Sequence, residues 1–222
     1  MCIYDIKFGI CWIILIIFLI SFINIDNIFD DYNKETRQIL NKYGDCKISK
    51  FYIVKEPISQ ILLTMINVGT LYEYQRITEE NGDFIIYHAS IIVKIKLPNN
   101  LNKFLLIEKN PTTNILEKFH INKLQNIKSL RIKKKYTLNK ILNMTNARIG
   151  NEKFFNWHFH KNNCQDFVKE ILITLQKSHI MDNFMDHKKI SNWLYSSPFN
   201  VYAINFVVTI SNIIEKYFFK YY

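Results

Sequence analysis

The sequence predicts an α+β fold: a small antiparallel sheet packed on a helix with a cysteine at its N-terminus, behind an N-terminal transmembrane helix. Three observations predict it. Phe8 to Ile23 reads FGICWIILIIFLISFI, sixteen residues without a charge. From Ile85 to Leu97 every second residue is apolar, the period of a strand. Cys164, Phe167, Val168, Ile171, Leu172 and Leu175 recur at the spacing of one helix face.

The apolar run comes first. At about 1.5 Å per residue it reaches roughly 24 Å, slightly short of a ~30 Å hydrocarbon core, a gap that Tyr4, Asn24 and local thinning can absorb. A cleaved signal peptide fits less well: Asp5 sits in the leading segment, Lys7 is its one basic residue, and no small-x-small site precedes Asp26. Residues 1–25 are therefore expected as an uncleaved anchor. Lys34, Arg37 and Lys42 follow it against Lys7 before it, so the main domain is expected in the cytosol. Cysteine usage agrees. Cys2 and Cys11 accompany the anchor, and Cys46 and Cys164 alone cannot build a disulfide framework.

Residues 26–50 are polar and charged and are expected as a linker or a short helix, with the main domain over 51–195. Pro57 can open a helix through Ile61, Leu62, Met65 and Ile66 that ends near Gly69. Leu71–Ile77 and Phe84–Leu97 flank a polar turn, which predicts a hairpin. The turn at Pro98–Asn102 leads into a further strand over Lys103–Asn110, ended by Pro111. Residues 196–222 form an apolar tail. Its stretch Phe199–Ile214 carries five polar residues, so an interfacial helix or one packed on the domain suits it better than a clean span.

The charge is +10, from 29 Lys and Arg against 19 Asp and Glu. The chain also holds 25 Asn and few Gly or Pro, the usage that AT-rich codons supply, so part of the lysine excess reflects coding rather than a ligand. The basic run Lys128–Lys135 (KSLRIKKK) lacks the aromatic interleaving of a nucleic-acid platform and reads as a guarded strand edge. Membrane lipids are the expected counter-surface and nucleic acid is not.

The chemistry concentrates at Asn162-Asn163-Cys164-Gln165-Asp166-Phe167. Either asparagine can cap the helix, and a thiol in its first turn feels the positive end of the dipole, which favours thiolate. Such a nucleophile needs a base, and the base needs an orienting group. His88 is a lone polar ring on the apolar-rich strand, 76 residues ahead of the thiol. The next strand offers Glu108 and Asn110. If Leu97 pairs with Lys103, both share a face with His88; a two-residue turn at Asn99-Asn100 would break this. His158, His160 and Cys164 make no complete metal set, and no cofactor is expected.

The ordered segments YHASIIV (Tyr87–Val93), LLIEKN (Leu105–Asn110) and NNCQDF (Asn162–Phe167) resemble the circularly permuted papain-like superfamily of NlpC/P60 and lecithin:retinol acyltransferase-like enzymes. The resemblance covers about ninety residues. It implies Cys164 as nucleophile, His88 as base and a polar residue of the following strand, Glu108 or Asn110, as orienter. Gln165-Asp166 departs from the acyltransferase pattern, which has Glu-His after the cysteine. With the anchor and the codon usage, the set is also similar to papain-like proteins of large insect DNA viruses, the baculovirus and nudivirus branch. That implies a membrane-bound role in virion assembly or envelopment, beside viral or host assembly proteins. The expected function is a membrane-anchored cysteine hydrolase or acyltransferase acting on peptide amide or lipid ester bonds. The alternative is a non-catalytic scaffold for virion morphogenesis that keeps the fold.

Overall fold

The computed structural model describes residues 31–207 except 59, 82–85, 111, 122, 123, 125, 159–161, 184–191, 194–196, 198 and 205. The order is α1 (Lys34–Tyr43), β1 (Lys47–Pro57), α2 (Gln60–Gly69), α3 (Glu73–Asn81), β2 (Tyr87–Lys96), β3 (Asn102–Lys109), β4 (Thr113–Leu116), β5 (Ile127–Leu130), α4 (Leu138–Ile149), α5 (Asn151–Phe155) and α6 (Cys164–Thr174). A 3-10 turn, Ser178–Asn183, follows. The fold is α+β. Its five strands form one antiparallel sheet in the order β4-β3-β2-β1-β5.

The stretch expected as a linker or a short helix holds the helix α1 and contributes directly to the sheet and to the core. Asn33 caps α1 through Thr36 N–H at 2.7 Å, and Thr36 is itself buried, its Oγ1 accepting from Ile115 N–H of β4 at 3.1 Å. The α1 helix thereby satisfies a donor on an outer strand. Tyr43 packs into the core, and the sheet already begins at Lys47.

The hairpin expected across residues 71–97 does not form, because 73–81 is helical. Two i,i+4 pairs favour the helix: Gln75 donates to Glu79 at 2.9 Å and Arg76 to Glu80 at 2.7 Å. Thr70 Oγ1 caps its start by accepting from Tyr74 N–H at 3.3 Å. Tyr74 is the helix's buried anchor, 5.6 Å from Trp193 ring to ring. The true partner of β2 on that side is β1, with Ile53 opposite Ile91.

The β2-β3 turn has its own geometry. Leu97 N–H donates to Leu101 O at 2.8 Å and Asn100 N–H to Leu97 O at 3.0 Å, with Asn100 at φ 62°. This is a three-residue loop with Asn in the left-handed position, which its short polar side chain tolerates. Lys103 pairs with Ile95 instead of Leu97. A slip of two residues preserves which face each side chain occupies.

One face of the sheet carries the main core. Phe51, Ile53, Ile91, Val93, Leu105, Ile107 and Ile115 meet Leu138, Ile141 and Leu142 of α4 and Phe167, Val168, Ile171 and Leu172 of α6. An 11-residue helix is marginal alone. Burying its four large apolar side chains at about 1.5–3 kcal/mol each is what fixes α6 on β2 and β3. The opposite face buries Val54, Ile92 and Leu106 under Phe119 and Ile121. Strand β2 is thus central and covered on both sides.

On the far side of β1, β5 is an outer strand, and Lys128, Arg131 and Lys133–Lys135 are exposed there. Described residues of the tail, 199–204 and 206–207, are helical and pack on the domain. Asn200, Ile204 and Val207 are buried, and a Cβ at Gly69 would lie 2.8 Å from Val207 Cγ2. Among the described residues no helix is long and apolar enough to cross a membrane. The Phe8–Ile23 run lies outside them.

Candidate active site

Asn163 is the cap of α6. Its Oδ1 accepts from Gln165 N–H at 2.8 Å and Asp166 N–H at 3.0 Å, while Asp166 Oδ2 accepts from Asn163 N–H at 3.1 Å. This reciprocal capping box leaves Cys164 as the first helical residue. Asn162 shapes the approach: its Nδ2 donates to Lys153 O at 2.7 Å and Asn156 O at 2.5 Å.

Gln165 explains one departure from the acyltransferase pattern. Its buried Nε2 donates to Tyr87 O at 2.9 Å, which clamps the helix start to the residue before His88. Asp166, the second residue of that departure, is spent on the cap.

His88 reaches two neighbours. Its Nε2 lies 3.3 Å from Glu108 Oε2, and the ring stands near enough to the Cys164 sulfur for each to shift the other's titration. A carboxylate oxygen only accepts, so Nε2 is the donor to Glu108. Asn110 Nδ2 donates to Glu108 Oε1 at 3.0 Å. The structure therefore brings all four expected residues together in the chain Cys164, His88, Glu108, Asn110. The sequence left Glu108 and Asn110 as rivals. Here Glu108 touches the ring and Asn110 holds Glu108.

The electrostatics follow from this contact. Burial opposes charge on His88, but the Cys164 sulfur and Glu108 outweigh it and raise the imidazole well above its ordinary range. Burial likewise opposes a Cys164 thiolate. The His88 charge and hydrogen bond, with the N–H groups of Ala89 and Gln165, outweigh it and lower the thiol. With His88 and Glu108 side chains only 23% and 15% exposed, water screens the pair weakly. Both shifts favour the thiolate–imidazolium form of the pair.

Two ionisable residues were missed from the sequence. Glu56 stands opposite His88 across the β1-β2 ladder, its carboxyl raised by burial and by Glu108 and lowered by His88. Recognising β1 would have found it. Lys109 follows Glu108 and is fully buried on the other face. A lysine flanked by strand positions carries no sequence sign of burial.

The aromatic residues ahead of α6 fall into different places. Phe154 and Phe155 belong to the core, where Tyr32 meets Phe155 edge-on at 5.0 Å; Trp157 packs in a second cluster. His158 forms a backbone bridge with Asn162, and Phe159 and His160 lie outside the described residues. Among the described residues no three His, Cys, Asp or Glu side chains gather as a metal site. Comparison with protein-family models, curated proteins and solved structures finds no match to this chain.

Proposed function

We propose that the chain is a thiol enzyme of the permuted papain-like class, a cysteine hydrolase or acyltransferase. The observation that carries this reading is the convergence of Cys164 at a helix N-terminus with His88, whose ring is bonded to Glu108, which Asn110 holds in turn. A buried cysteine in a core role needs neither an imidazole on its sulfur nor a carboxylate behind that imidazole. The order along the chain, base strand, orienter strand, then nucleophile helix, is the order the resemblance implies.

The Cys164 thiolate attacks a carbonyl carbon and forms the C–S bond, and the carbonyl π pair moves onto oxygen. The cap already takes the Gln165 and Asp166 amides, so the N–H of Cys164 itself is the helix-end donor for that oxyanion. Collapse expels an amine or alcohol, which takes its proton from the His88 imidazolium. Neutral His88 then takes a proton from water or from an acceptor nucleophile as its oxygen or nitrogen attacks the thioester carbonyl. The C–S bond breaks with its pair returning to sulfur, which releases the acid or the transferred acyl product and restores the thiolate–imidazolium pair. Glu108 holds the ring and stabilises its charged form throughout.

The substrate is a peptide amide or a lipid ester. The Phe8–Ile23 run supports a single-pass anchor with the domain on the cytosolic side, and the resemblance to insect-virus proteins supports a role in virion assembly at a membrane. Labelling of the full chain with an iodoacetamide–alkyne probe tests the enzymatic reading. Cys164 is expected to label ahead of Cys46 at neutral pH and to lose that advantage in His88→Ala. A folded protein with an inert Cys164 would sink the proposal. Full biological function in Cys164→Ala would favour the scaffold instead.

A further inference from the structure

Lys109 is fully buried, yet the described structure gives its ammonium no carboxylate at hydrogen-bonding distance. Its Nζ donates to Lys153 O at the end of α5 and lies 5.6 Å from the Phe167 ring centroid. Burying an ammonium on a carbonyl and a ring costs folding free energy, so stability alone gives no reason for a lysine here. Its surroundings give another reason. Lys153 O also receives Asn162 Nδ2, Asn162 precedes the cap Asn163, and Phe167 lies one turn after Cys164.

We propose that Lys109 is a positioning residue for the thiol. Its buried ammonium ties the α5 end and the Asn162 turn to the sheet, and it places a positive charge behind the start of the Cys164 helix. The proposal rests on Cys164 being the nucleophile. The groups facing Lys109 are Cys164 and Asp166 from α6, the Lys153 carbonyl from α5, and uncharged Thr113 of β4 beside it on the sheet. Beside the sulfur stands His88, and around that ring stand Glu108 and, across the ladder, Glu56. Burial lowers Lys109 to about 7, with Asp166 and Cys164 opposing the shift. Its charge is therefore present below about 7 and fades as pH rises through that value.

The test is the pH profile of Cys164 alkylation by iodoacetamide, read on the Cys164 peptide by mass spectrometry in the full chain. Lys109→Met keeps the length and removes the charge. Its acid limb is expected to move up by about 1 pH unit, the low end for loss of a neighbouring opposite charge. Lys109→Arg keeps the charge and is expected to hold the limb near its wild-type place. A folded Lys109→Met whose profile superposes on wild type overturns the proposal. Lys109→Gln, a second neutral variant, serves if Lys109→Met does not fold. Failure of both to fold while Lys109→Arg folds would assign Lys109 to the fold alone and also overturn it. His88→Ala separates the two readings. If it leaves the profile unchanged, the thiol-enzyme reading itself fails; if it alone moves the profile, only the role of Lys109 fails.

Discussion

Replacing Glu108 by Gln removes the charge behind His88 and keeps the size of the side chain. At 3.3 Å, with an effective dielectric constant of about 20, the gross attraction between carboxylate and imidazolium is about 5 kcal/mol. Desolvation of both groups offsets part of that, and hydrogen bonds to charged groups contribute a net of about 1.5–3 kcal/mol. The glutamine oxygen can still accept from Nε2, so the fold persists while the imidazolium loses its counter-charge. At about 1.4 kcal/mol per tenfold, Cys164 should alkylate roughly ten- to a hundredfold more slowly near neutral pH. The assay is the second-order rate of iodoacetamide addition to Cys164, with Cys46 as internal reference. A folded Glu108→Gln protein that reacts within twofold of wild type would refute the reasoning, since the carboxylate would then contribute nothing to the pair.

Asn110→Ala acts only through Glu108, so its cost should be that of one charged hydrogen bond shared with water, a fall of about fivefold in the same rate; a larger loss than Glu108→Gln would contradict the order of the chain. Asn163→Ala removes the acceptor of two helix-end amides and should cost about 1–2 kcal/mol in urea unfolding, so an unchanged midpoint would refute the capping box. The pH dependence follows from the paired shifts. The thiol is lowered and the imidazole raised, so the limb on which wild-type alkylation rises with pH should lie below that of an ordinary thiol, and the rate should not fall again when the imidazole deprotonates, because the thiolate remains. In stability terms the His88 share is present below about 6.5 and lost as pH rises through its raised value. The Cys164 share is present above about 8.5 and lost as pH falls through its lowered value. His88→Ala should return the reactivity curve to one centred near the ordinary thiol range, about 8.5. For the anchor, the full chain should stay with membranes through alkaline carbonate; release without detergent would contradict it.

The Cys164 helix was legible because two local signals coincide there: an apolar face at helical spacing and an asparagine cap ahead of it. The shared face of His88, Glu108 and Asn110 was legible for a different reason. Face depends only on parity, so the turn could slip by two residues and still deliver the same neighbours. What stayed hidden was non-local. Lys47–Pro57 mixes Lys50, Lys55 and Glu56 with its apolar residues, and its pairing with β2 spans tens of residues that no local pattern encodes. Leu71–Ile77 looks strand-like by residue type, but charge pairs four apart and a threonine cap decide for helix. The burial of Lys109 depends on α5 and α6 closing over it, and nothing near residue 109 announces that.

The central claim is that Cys164 performs acyl chemistry assisted by His88. Incubating the full chain with p-nitrophenyl acetate and mapping acetylated peptides by mass spectrometry tests it most directly. A transient thioester on Cys164 that forms in wild type, fails to form in His88→Ala and is absent from Cys46 is the predicted result. A folded wild-type protein with no acetyl group on Cys164, or one acetylated equally in His88→Ala, would contradict the account.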